Sequence, residues 1–577
     1  MKSIIIFIVF IISYCYAEDV LGGWKVSDDQ SLKEECIQKA LVNIQGAQNG
    51  GVGQSQVSDS TCRTQVVSGL NIKCTFTLSG KQWECKYYKS FIGTRETQLE
   101  GCALANNSGD PENPTAFNED GLDDDDLIDA IRSFFRLTHT RYFSKLINEK
   151  DINEKNIHCS IADPSIPLPL IISTSGVPIH LYTRELEPQA LKQLIVLAES
   201  GIVKGFVAAM ADVHVGVGAT IGTVFASTTH VSPYAVGADI GCGMIAAPIH
   251  GLTLNKLKES WKKEIQQKIK IAIPTGHDAR VKAHKKTENI IRNLGACTNY
   301  LKSQISDITK KQLGTLGSGN HFLEILYDEN EQIWIMLHSG SRRIGKETCD
   351  YYHGIAGHQM SKHRLPVINE LKYLEIDSSE GQNYLIDMRW CLNYAEQNRR
   401  IMLDELCSII KSVTGFETDL KQMVNIHHNY CQQENVCFNN SEEEEFVWVT
   451  RKGATSARKG QLGIIPGSMG TGSFIVEGLG NSLSFYSCSH GAGRLMSRTM
   501  AMKQISQQSF EQAMKGIVSD TNAALRDEAP QAYKDLTTVM NNQESLVKIV
   551  HRLKPLINVK GMSERNIRYS KKSKKKN

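Results

Sequence analysis

Val215-Gly-Val-Gly-Ala-Thr-Ile-Gly-Thr-Val-Phe225 combines β-branched residues with regularly placed glycines, and a similar run covers residues 236–244. β-branched residues favour strands, and glycines mark bends and turns within them. A helix is predicted before this pair at residues 188–200, and a short buried strand, Trp334-Ile-Met-Leu337, follows it. Helices and strands alternate without the regular order of a parallel α/β fold. The sequence therefore predicts a large α+β domain.

A long helix is predicted at residues 381–406 by apolar residues at helical spacing, among them Tyr384, Met388, Leu392, Ala395 and Met402. Such a stripe is typical of a helix that buries one face in the core. We therefore interpret this helix as part of the hydrophobic core and assign it no chemical role.

The chain begins with Met1-Lys2, an apolar run at residues 4–12 and a small residue at Ala17, a pattern typical of a secretory signal peptide over residues 1–17. The run is too short for a membrane span, and no later stretch reaches about 18 apolar residues. We therefore expect no membrane span after signal cleavage. The expected location is the secretory pathway or outside the cell.

Five of the fifteen cysteines, Cys36, Cys62, Cys74, Cys85 and Cys102, follow closely after this leader. Dense cysteines after a signal peptide indicate disulfides. Because their number is odd, one stays unpaired or pairs outside the group, for example with Cys159.

A small α+β unit is predicted at residues 18–105, with a helix at 31–44 followed by strands at 64–67, 70–78 and 83–88. A polar, acidic linker at 106–160 follows, then the large domain at 161–561 and a basic tail at 562–577. The net charge of +3 excludes a polycation that binds nucleic acid through bulk charge alone.

The small unit resembles cystatins, which inhibit papain-like cysteine proteases. The resemblance rests on Gln65-Val66-Val67-Ser68-Gly69, on Leu21-Gly-Gly-Trp24, and on Cys74 and Cys85 at the spacing of a cystatin disulfide. The family's second hairpin, with Pro-Trp, has no match here, and Ser90-Phe91 stands in its place. The resemblance implies binding of papain-like proteases through Gln65 to Gly69, weakened by the missing Pro-Trp.

Candidate metal ligands in the large domain lie in glycine-rich turns rather than on amphipathic faces. They are Asp239 and Cys242 in Asp-Ile-Gly-Cys-Gly, His321 in Gly-Ser-Gly-Asn-His, His338 in His-Ser-Gly-Ser-Arg, and His428 in Asn-Ile-His-His-Asn. Imidazoles, a carboxylate and a thiolate together suit borderline divalent metals such as Mn²⁺, Zn²⁺ or Co²⁺. A bridging thiolate or carboxylate would hold two ions at the spacing of phosphoryl-transfer centres.

A phosphate-binding region is predicted in the same domain. Residues 463–473 form a glycine-rich loop able to present backbone N–H groups to an anion, and several arginines accompany it: Arg342, Arg343, Arg451, Arg494 and Arg498. The chain has neither a P-loop motif nor Lys-x-Asp-Gly. His490, in Ser-His-Gly-Ala-Gly-Arg, is the candidate nucleophile, because an unprotonated imidazole nitrogen attacks an α-phosphorus to form a phosphoramidate.

These motifs resemble the RtcB family of GTP-dependent ligases, which join RNA 3′-phosphate or 2′,3′-cyclic phosphate ends to 5′-hydroxyl ends. The resemblance covers about residues 170–561 and includes Ala211-Asp-Val-His, Gly237-Ala-Asp-Ile-Gly-Cys-Gly-Met, Gly317-Ser-Gly-Asn-His-Phe-Leu-Glu, Arg451-Lys-Gly-Ala and Ser489-His-Gly-Ala-Gly-Arg. The chain departs from the family pattern at Ala211, where proline is usual, and at Val217, where lysine is common.

The resemblance implies a site with two Mn²⁺ ions and GTP, and RNA ends such as tRNA halves or cleaved RNA as partners. His490 becomes the guanylylated nucleophile, and Asp239, Cys242, His321, His338 and His428 become the metal ligands. The implied nucleotide-binding residues are Asn320, Glu324, Pro466, Ser468, Ser473, His490, Arg494, Tyr533 and Lys560.

Two alternatives come from other functional classes. In one, the chain is a secreted cysteine protease inhibitor whose large domain is a scaffold, which agrees with the signal peptide. In the other, it is a metal-dependent phosphodiesterase without a nucleotide cofactor. The retained ligands, His490 and the implied guanine contacts favour the ligase, for which the cytoplasm or nucleus is the expected location if residues 1–17 are not a signal peptide.

Overall fold

The computed structural model describes the backbone of four strands between residues 58 and 104, and residues 167–438 and 443–562 in full. The chain divides into two compact units, residues 1–122 and 123–577. The predicted signal peptide, the helix at 31–44, the linker at 106–160 and most of the basic tail lie outside the described residues. Among the described residues, no helix has both the length and the apolarity to cross a membrane.

The first unit contains a four-stranded antiparallel sheet in the order β1-β2-β3-β4. The strands are β1 (Ser58–Val66), β2 (Gly69–Leu78), β3 (Lys81–Ser90) and β4 (Gln98–Leu104). The three predicted strands are confirmed. The fourth was missed because its glycine and alanine are poor strand formers. Cys74 lies directly opposite Cys85 in the register of β2 and β3.

The second unit is a mixed α+β domain, as predicted, built on a seven-stranded and a six-stranded sheet. The seven-stranded sheet has the order β14-β10-β12-β11-β21-β19-β18 and the six-stranded sheet the order β15-β16-β8-β7-β6-β5. The strands of the unit are β5 (Leu170–Ile172), β6 (Ile179–Leu181), β7 (Lys204–His214), β8 (Ile221–Ser227), β9 (His230–Val231), β10 (Gly243–Thr253), β11 (Phe322–Tyr327), β12 (Gln332–Ser339), β13 (Leu374–Glu375), β14 (Val424–His427), β15 (Asn429–Cys437), β16 (Glu444–Lys452), β17 (Ala454–Ser456), β18 (Leu462–Pro466), β19 (Ser473–Gly478), β20 (Ser487–Ser489) and β21 (Val547–Val559).

Helices cover the outer faces of both sheets. They are α1 (Pro188–Ala198), α2 (Pro233–Val236), α3 (Glu259–Ala272), α4 (Thr287–Arg292), α5 (Asn299–Gln304), α6 (Asp307–Gln312), α7 (Arg342–Lys362), α8 (Ser379–Thr414), α9 (Arg498–Gln504), α10 (Gln507–Ala513) and α11 (Leu536–Asn541), with 3₁₀ turns at Leu254–Lys256, Leu420–Gln422, Ser482–Ser484, Ala523–Glu528 and Pro530–Ala532. Apolar residues of α3 and α8 pack on β10, β11 and β12, and those of α1 pack on β7. The two sheets share a further core in which β7 and β8 meet β18 and β19.

Local signals define the ends of the predicted helices. Pro188 begins α1 at a position where its missing N–H costs little. The Ser378 hydroxyl accepts a hydrogen bond from the Gly381 N–H at the start of α8, and Gly415 ends that helix with a φ of 80°. Both predicted helices are confirmed, as is the strand at 334–337 within β12.

Two predicted strands are partly wrong. Residues 215–220 form an irregular loop, and the strand begins only at Ile221. In the second stretch α2 ends at Val236 and β10 begins at Gly243, so the residues between them form a turn. Gly237 and Gly241 in this turn have φ values of 110° and 71°, which disfavour a continuous strand. The turn carries two of the candidate ligands.

Candidate functional site

Four neighbouring strands of the seven-stranded sheet bring the candidate ligands to one edge. Gly243 of β10 lies opposite Ser339 of β12 on one side and His427 of β14 on the other. Phe322 of β11 lies opposite His338. Since the five candidates occupy these strand ends or the adjoining turns, the register places their side chains in a single cluster.

The five side chains form two groups that share one thiol. Cys242, His338 and His428 offer ligand atoms within 4.8 Å of one another, and so do Asp239, Cys242 and His321. The Cys242 Sγ lies 3.3 Å from His321 Nε2 and 3.2 Å from His338 Nε2. His338 Nε2 lies 3.3 Å from His428 Nε2, and His321 Nε2 lies 2.9 Å from Asp239 Oδ2. Cys242 is therefore placed to bridge two ions.

Backbone carbonyls orient two of the imidazoles. His321 Nδ1 donates to the Leu316 carbonyl at 2.9 Å, and His338 Nδ1 donates to the Asn320 carbonyl at 3.1 Å. With a proton on each Nδ1, the Nε2 lone pairs point into the cluster, as in histidines that bind metals. Buried lone pairs that face each other and a sulfur atom repel unless a cation lies between them. The donor set thus fits divalent cations.

Burial favours the neutral form of two imidazoles of this cluster. It lowers the pKa values of His338 and His428 well below the usual histidine value. Burial and the Asp239 carboxylate raise the pKa of the Cys242 thiol. Burial favours a higher pKa for Asp239 as well, but the neighbouring His321, Cys242 and Arg342 side chains together outweigh it and bring the pKa to about 2. Asp239, His338 and His428 are therefore ready to bind a metal, whereas the Cys242 thiol must first release its proton.

His490 follows β20, and the Asp212 carboxylate of β7 holds it in place. Asp212 Oδ2 accepts hydrogen bonds from His490 Nδ1 at 2.6 Å, from the His490 N–H at 3.1 Å and from the Gly491 N–H at 3.2 Å. Asp212 is fully buried. With its proton on Nδ1, the ring carries its lone pair on Nε2, the atom available for attack.

The candidate nucleophile, His490, lies beside the cluster of candidate metal ligands. The rings of His490 and His428 have their centroids 4.9 Å apart. A phosphorus atom bonded to His490 would therefore lie within reach of ions held by the cluster. This adjacency is what metal-assisted phosphoryl transfer requires.

A second cluster gathers several of the implied nucleotide-binding residues around Glu528, a carboxylate with only 1% exposure. Its oxygens accept hydrogen bonds from the Tyr533 hydroxyl at 2.7 Å and the Lys560 ammonium at 2.9 Å. Arg494 lies 3.4 Å away, and Arg498 forms a short ion pair with the same carboxylate. Burial favours a higher pKa for Glu528, but these cations hold it below its usual value.

The other implied nucleotide-binding residues lie in several different parts of the domain. The buried Glu324 accepts a hydrogen bond from Asn558 Nδ2 at 2.7 Å, and burial raises its pKa to about 7. The Pro466 carbonyl accepts from the Ala492 N–H, two residues after His490. Asn320 is exposed in the turn that precedes β11, and Ser473 is buried at the start of β19.

Part of the predicted phosphate-binding region is wrong. Arg451 is fully buried and pairs with Glu434, so it is not available to a phosphate. In the glycine-rich loop, which contains Ser468, four N–H groups already donate to atoms of the loop, those of Gly467, Ser468, Gly470 and Thr471. Two of the arginines lie against the turn that carries His321: the Arg342 guanidinium is 2.1 Å from where a Gly317 Cβ would lie, and the Arg498 guanidinium is 3.0 Å from where a Gly319 Cβ would lie.

Asp212 and Glu528 were missed as site residues. Asp212 stands in the Ala-Asp-Val-His motif, but it is 278 residues from His490 and no spacing rule connects them. Glu528 follows Asp527 in what reads as an ordinary charged surface pair. The one sequence signal for the burial of Glu528 is that the next two residues, Ala529 and Pro530, are not polar.

Three matches to known proteins show which family this chain is similar to. The sequence model of the family described as "tRNA-splicing ligase RtcB" matches residues 193–561. The chain is 40% identical over 413 residues to the RNA-splicing ligase RtcB of Escherichia coli K12, covering 68% of this chain and 99% of that protein. It is 30% identical over 461 residues to the tRNA-splicing ligase RtcB of Archaeoglobus fulgidus, covering 67% and 95%.

Proposed function

The chain belongs to the RtcB family and is an RNA ligase, and from this premise we propose that it uses GTP to join RNA 3′-phosphate or 2′,3′-cyclic phosphate ends to 5′-hydroxyl ends. The proposed substrates are tRNA halves or other cleaved RNAs. The proposed intermediate is a covalent bond between GMP and His490.

One observation carries the proposal: His490 is oriented as a nucleophile beside a cluster of metal ligands. Asp212 holds Nδ1, and no hydrogen bond to Nε2 is found within the described part of the chain. A phosphodiesterase that activates water needs no such histidine, so this pairing favours nucleotidyl transfer over the phosphodiesterase alternative.

Asp239, Cys242, His321, His338 and His428 would hold the two proposed Mn²⁺ ions, with Cys242 shared between them. Bound there, such ions supply Lewis acidity that neutralises charge developing on phosphate oxygens. The thiolate and imidazoles suit a borderline metal better than Mg²⁺.

The cluster around Glu528 is evidence for the proposed guanine-binding site. Tyr533 and Lys560 are held in place by one buried carboxylate, and Glu324 offers a second carboxylate to ring N–H donors. The position of Arg498 beside the Gly319 turn suits phosphate binding, because its charge lies between this cluster and the metal ligands.

In the proposed first step, His490 Nε2 attacks the α-phosphorus of GTP. A P–N bond forms as the P–O bond to the leaving pyrophosphate breaks. The imidazole becomes positively charged, and the Asp212 carboxylate stabilises that charge through Nδ1–H. An oxygen of the RNA 3′-phosphate then attacks the phosphorus of the adduct, and the P–N bond to His490 breaks. The 5′-hydroxyl attacks the activated RNA phosphorus and releases GMP. A 2′,3′-cyclic phosphate is first hydrolysed by water to the 3′-phosphate.

The first test is adduct formation with α-labelled GTP and Mn²⁺. The labelled protein should lose its label in acid and keep it in alkali, as a phosphoramidate does. His490→Ala should give no adduct, whereas His363→Ala, which changes an exposed histidine at the end of α7, should label normally. A label that persists in His490→Ala contradicts the assignment.

The second test offers two pairs of RNA ends. The protein should join a 3′-phosphate to a 5′-hydroxyl in the presence of GTP, and His490→Ala should not. Joining of a 3′-hydroxyl to a 5′-phosphate instead, or joining with ATP alone, contradicts the proposal.

Protease binding and secretion are separate proposals that rest on residues 1–105. In support of the first, β1 ends at Val66 and β2 begins at Gly69, so the Gln65–Gly69 motif spans a hairpin. The full chain should inhibit papain weakly, and Val67→Asp should relieve the inhibition. For the second, mass spectrometry of the mature protein should find a terminus after Ala17. A terminus at Met1 instead favours the cytoplasm or nucleus.

A further inference from the structure

Two adjacent polar residues are buried in the middle of helix α8. Asn398 is 0% exposed and Arg399 is 2% exposed, while Ile401 and Met402 next to them pack in the core. Burying an amide and a guanidinium is costly unless their hydrogen bonds are made. The predicted role of this helix as plain core does not account for them.

Asn398 ties together two segments that lead to metal-ligand candidates. Its Oδ1 accepts from the Gly314 N–H at 2.7 Å and the Thr315 N–H at 3.0 Å. Its Nδ2 donates at 3.1 Å each to the Thr315 carbonyl, the Ser339 hydroxyl and the Gly340 carbonyl. One side chain therefore joins the turn before His321 to the end of the strand that carries His338.

Arg399 joins two more positions next to ligands. Its Nη1 donates to the Gly241 carbonyl at 2.7 Å and to the Ser339 carbonyl at 3.1 Å. Gly241 precedes Cys242, and Ser339 follows His338. Among the described residues, no carboxylate lies within ion-pair distance of Arg399, so its burial is not explained by a salt bridge. Its two bonds to backbone carbonyls are the specific interactions that it makes.

A relay extends this network to His321. The Ser339 hydroxyl, which accepts from Asn398, donates to the Leu316 carbonyl at 2.7 Å. The same carbonyl accepts from His321 Nδ1. The adjacent pair thus reaches three ligand candidates, namely Cys242 through Gly241, His338 through Ser339, and His321 through Leu316.

We propose that Asn398 and Arg399 are positioning residues that hold these three ligand-bearing segments in place before the metal binds. Neither side chain contacts a ligand atom, so each acts through backbone groups next to the ligands. Partners of this kind commonly change metal affinity by about 10–100-fold when they are lost. The inference rests on the metal site of the proposed function.

The chain offers a matched set of variants. Arg399→Lys keeps the charge but replaces a planar fork with an ammonium group that does not reproduce its geometry. Asn398→Leu keeps the approximate volume and removes all five hydrogen bonds. Arg400→Lys is the control, because Arg400 is the next residue of the same helix, is exposed and, within the described residues, pairs with Glu396 alone.

The experiment uses the full chain, freed of metal, and measures two quantities besides activity. Calorimetric titration with Mn²⁺ gives the affinity and the number of ions bound. Titration with Co²⁺ gives the near-ultraviolet charge-transfer band between the Cys242 thiolate and cobalt, which reports the geometry of that ligand. Circular dichroism and thermal unfolding show whether each variant is folded.

Arg399→Lys should fold and bind Mn²⁺ 10–100-fold more weakly than Arg400→Lys, with a displaced or weakened cobalt band. Asn398→Leu should show the same loss. The proposal is overturned if the folded variants match Arg400→Lys within twofold in affinity and band. It is also overturned if both fail to fold even with saturating Mn²⁺, because the pair would then serve the fold alone. If the unaltered chain binds neither ion, the metal site of the proposed function fails and this inference with it.

Discussion

Replacing Asp212 by asparagine tests how the protein activates its nucleophile. The carboxylate accepts three hydrogen bonds through Oδ2, from His490 Nδ1, the His490 N–H and the Gly491 N–H. An asparagine oxygen in the same place still accepts these bonds, so the position of His490 should survive. What disappears is the negative charge that faces the imidazole.

The size of the effect follows from that lost charge. When His490 attacks phosphorus, its ring becomes cationic, and the bond from Nδ1 becomes one between two charged groups. Hydrogen bonds to charged groups contribute about 1.5–3 kcal/mol, and each 1.36 kcal/mol corresponds to about tenfold in rate. We therefore expect Asp212→Asn to form the GMP adduct roughly 10–150-fold more slowly. The buried Asp212 Oδ1 has no partner among the described residues, so the new amide N–H₂ lacks an acceptor and lowers stability by about 1–3 kcal/mol.

The assay is a single-turnover quench with α-labelled GTP at saturating Mn²⁺, with thermal unfolding measured in parallel. Asp387→Asn is the matched control, because Asp387 is equally buried and also accepts three hydrogen bonds, two from Thr298 and one from Tyr352. The control should lose stability without slowing adduct formation in the folded fraction. If Asp212→Asn labels within twofold of Asp387→Asn, the carboxylate does not stabilise the imidazolium and the reasoning is refuted.

Three further predictions concern the two clusters of the site. Burial raises the pKa of Glu324 to about 7, and in the proposed guanine site the deprotonated carboxylate is the form that accepts the two guanine N–H groups, so GTP affinity should rise as the pH increases through 7. Calorimetry should show this slope, and a slope that survives in Glu324→Gln excludes Glu324 as its source. Cys242→Ala should reduce Mn²⁺ binding and abolish the adduct while the protein stays folded; two ions still bound with unchanged affinity would contradict a bridging role. Glu528→Gln leaves buried cations without their counter-charge and should lower the free energy of unfolding by roughly 3–5 kcal/mol in urea, whereas Asp520→Asn, which removes an exposed pair with Lys270, should change it by about 1 kcal/mol or less. Equal effects of the two substitutions would show that the Glu528 cluster does not depend on its charge.

Two kinds of feature in this protein were predictable from its sequence alone. One is local structure with its own signals, such as helix α8, whose apolar spacing, Ser378 cap and terminal Gly415 all act within a few residues. The other is chemistry carried by short motifs, because a thiol or imidazole in a glycine-rich turn is unlike an ordinary core residue. For that reason Asp239, Cys242, His321, His338, His428 and His490 were identified as candidates without knowledge of how they converge.

The tertiary structure alone decided which atoms meet. The register of β10, β12 and β14 sets Cys242, His338 and His428 side by side, and no local pattern encodes that alignment. The same holds for the partners of these residues: Asp212 reaches His490 from a strand hundreds of residues earlier, and Asn398 and Arg399 look like helix-surface residues until α8 packs on the sheet. Arg451 is the opposite case. The sequence predicted that it binds phosphate, but it is buried against Glu434 and is therefore unavailable to a phosphate. Hydrogen bonds and burial depend on distances across the fold, and those distances arise only when the sheets and helices have packed together.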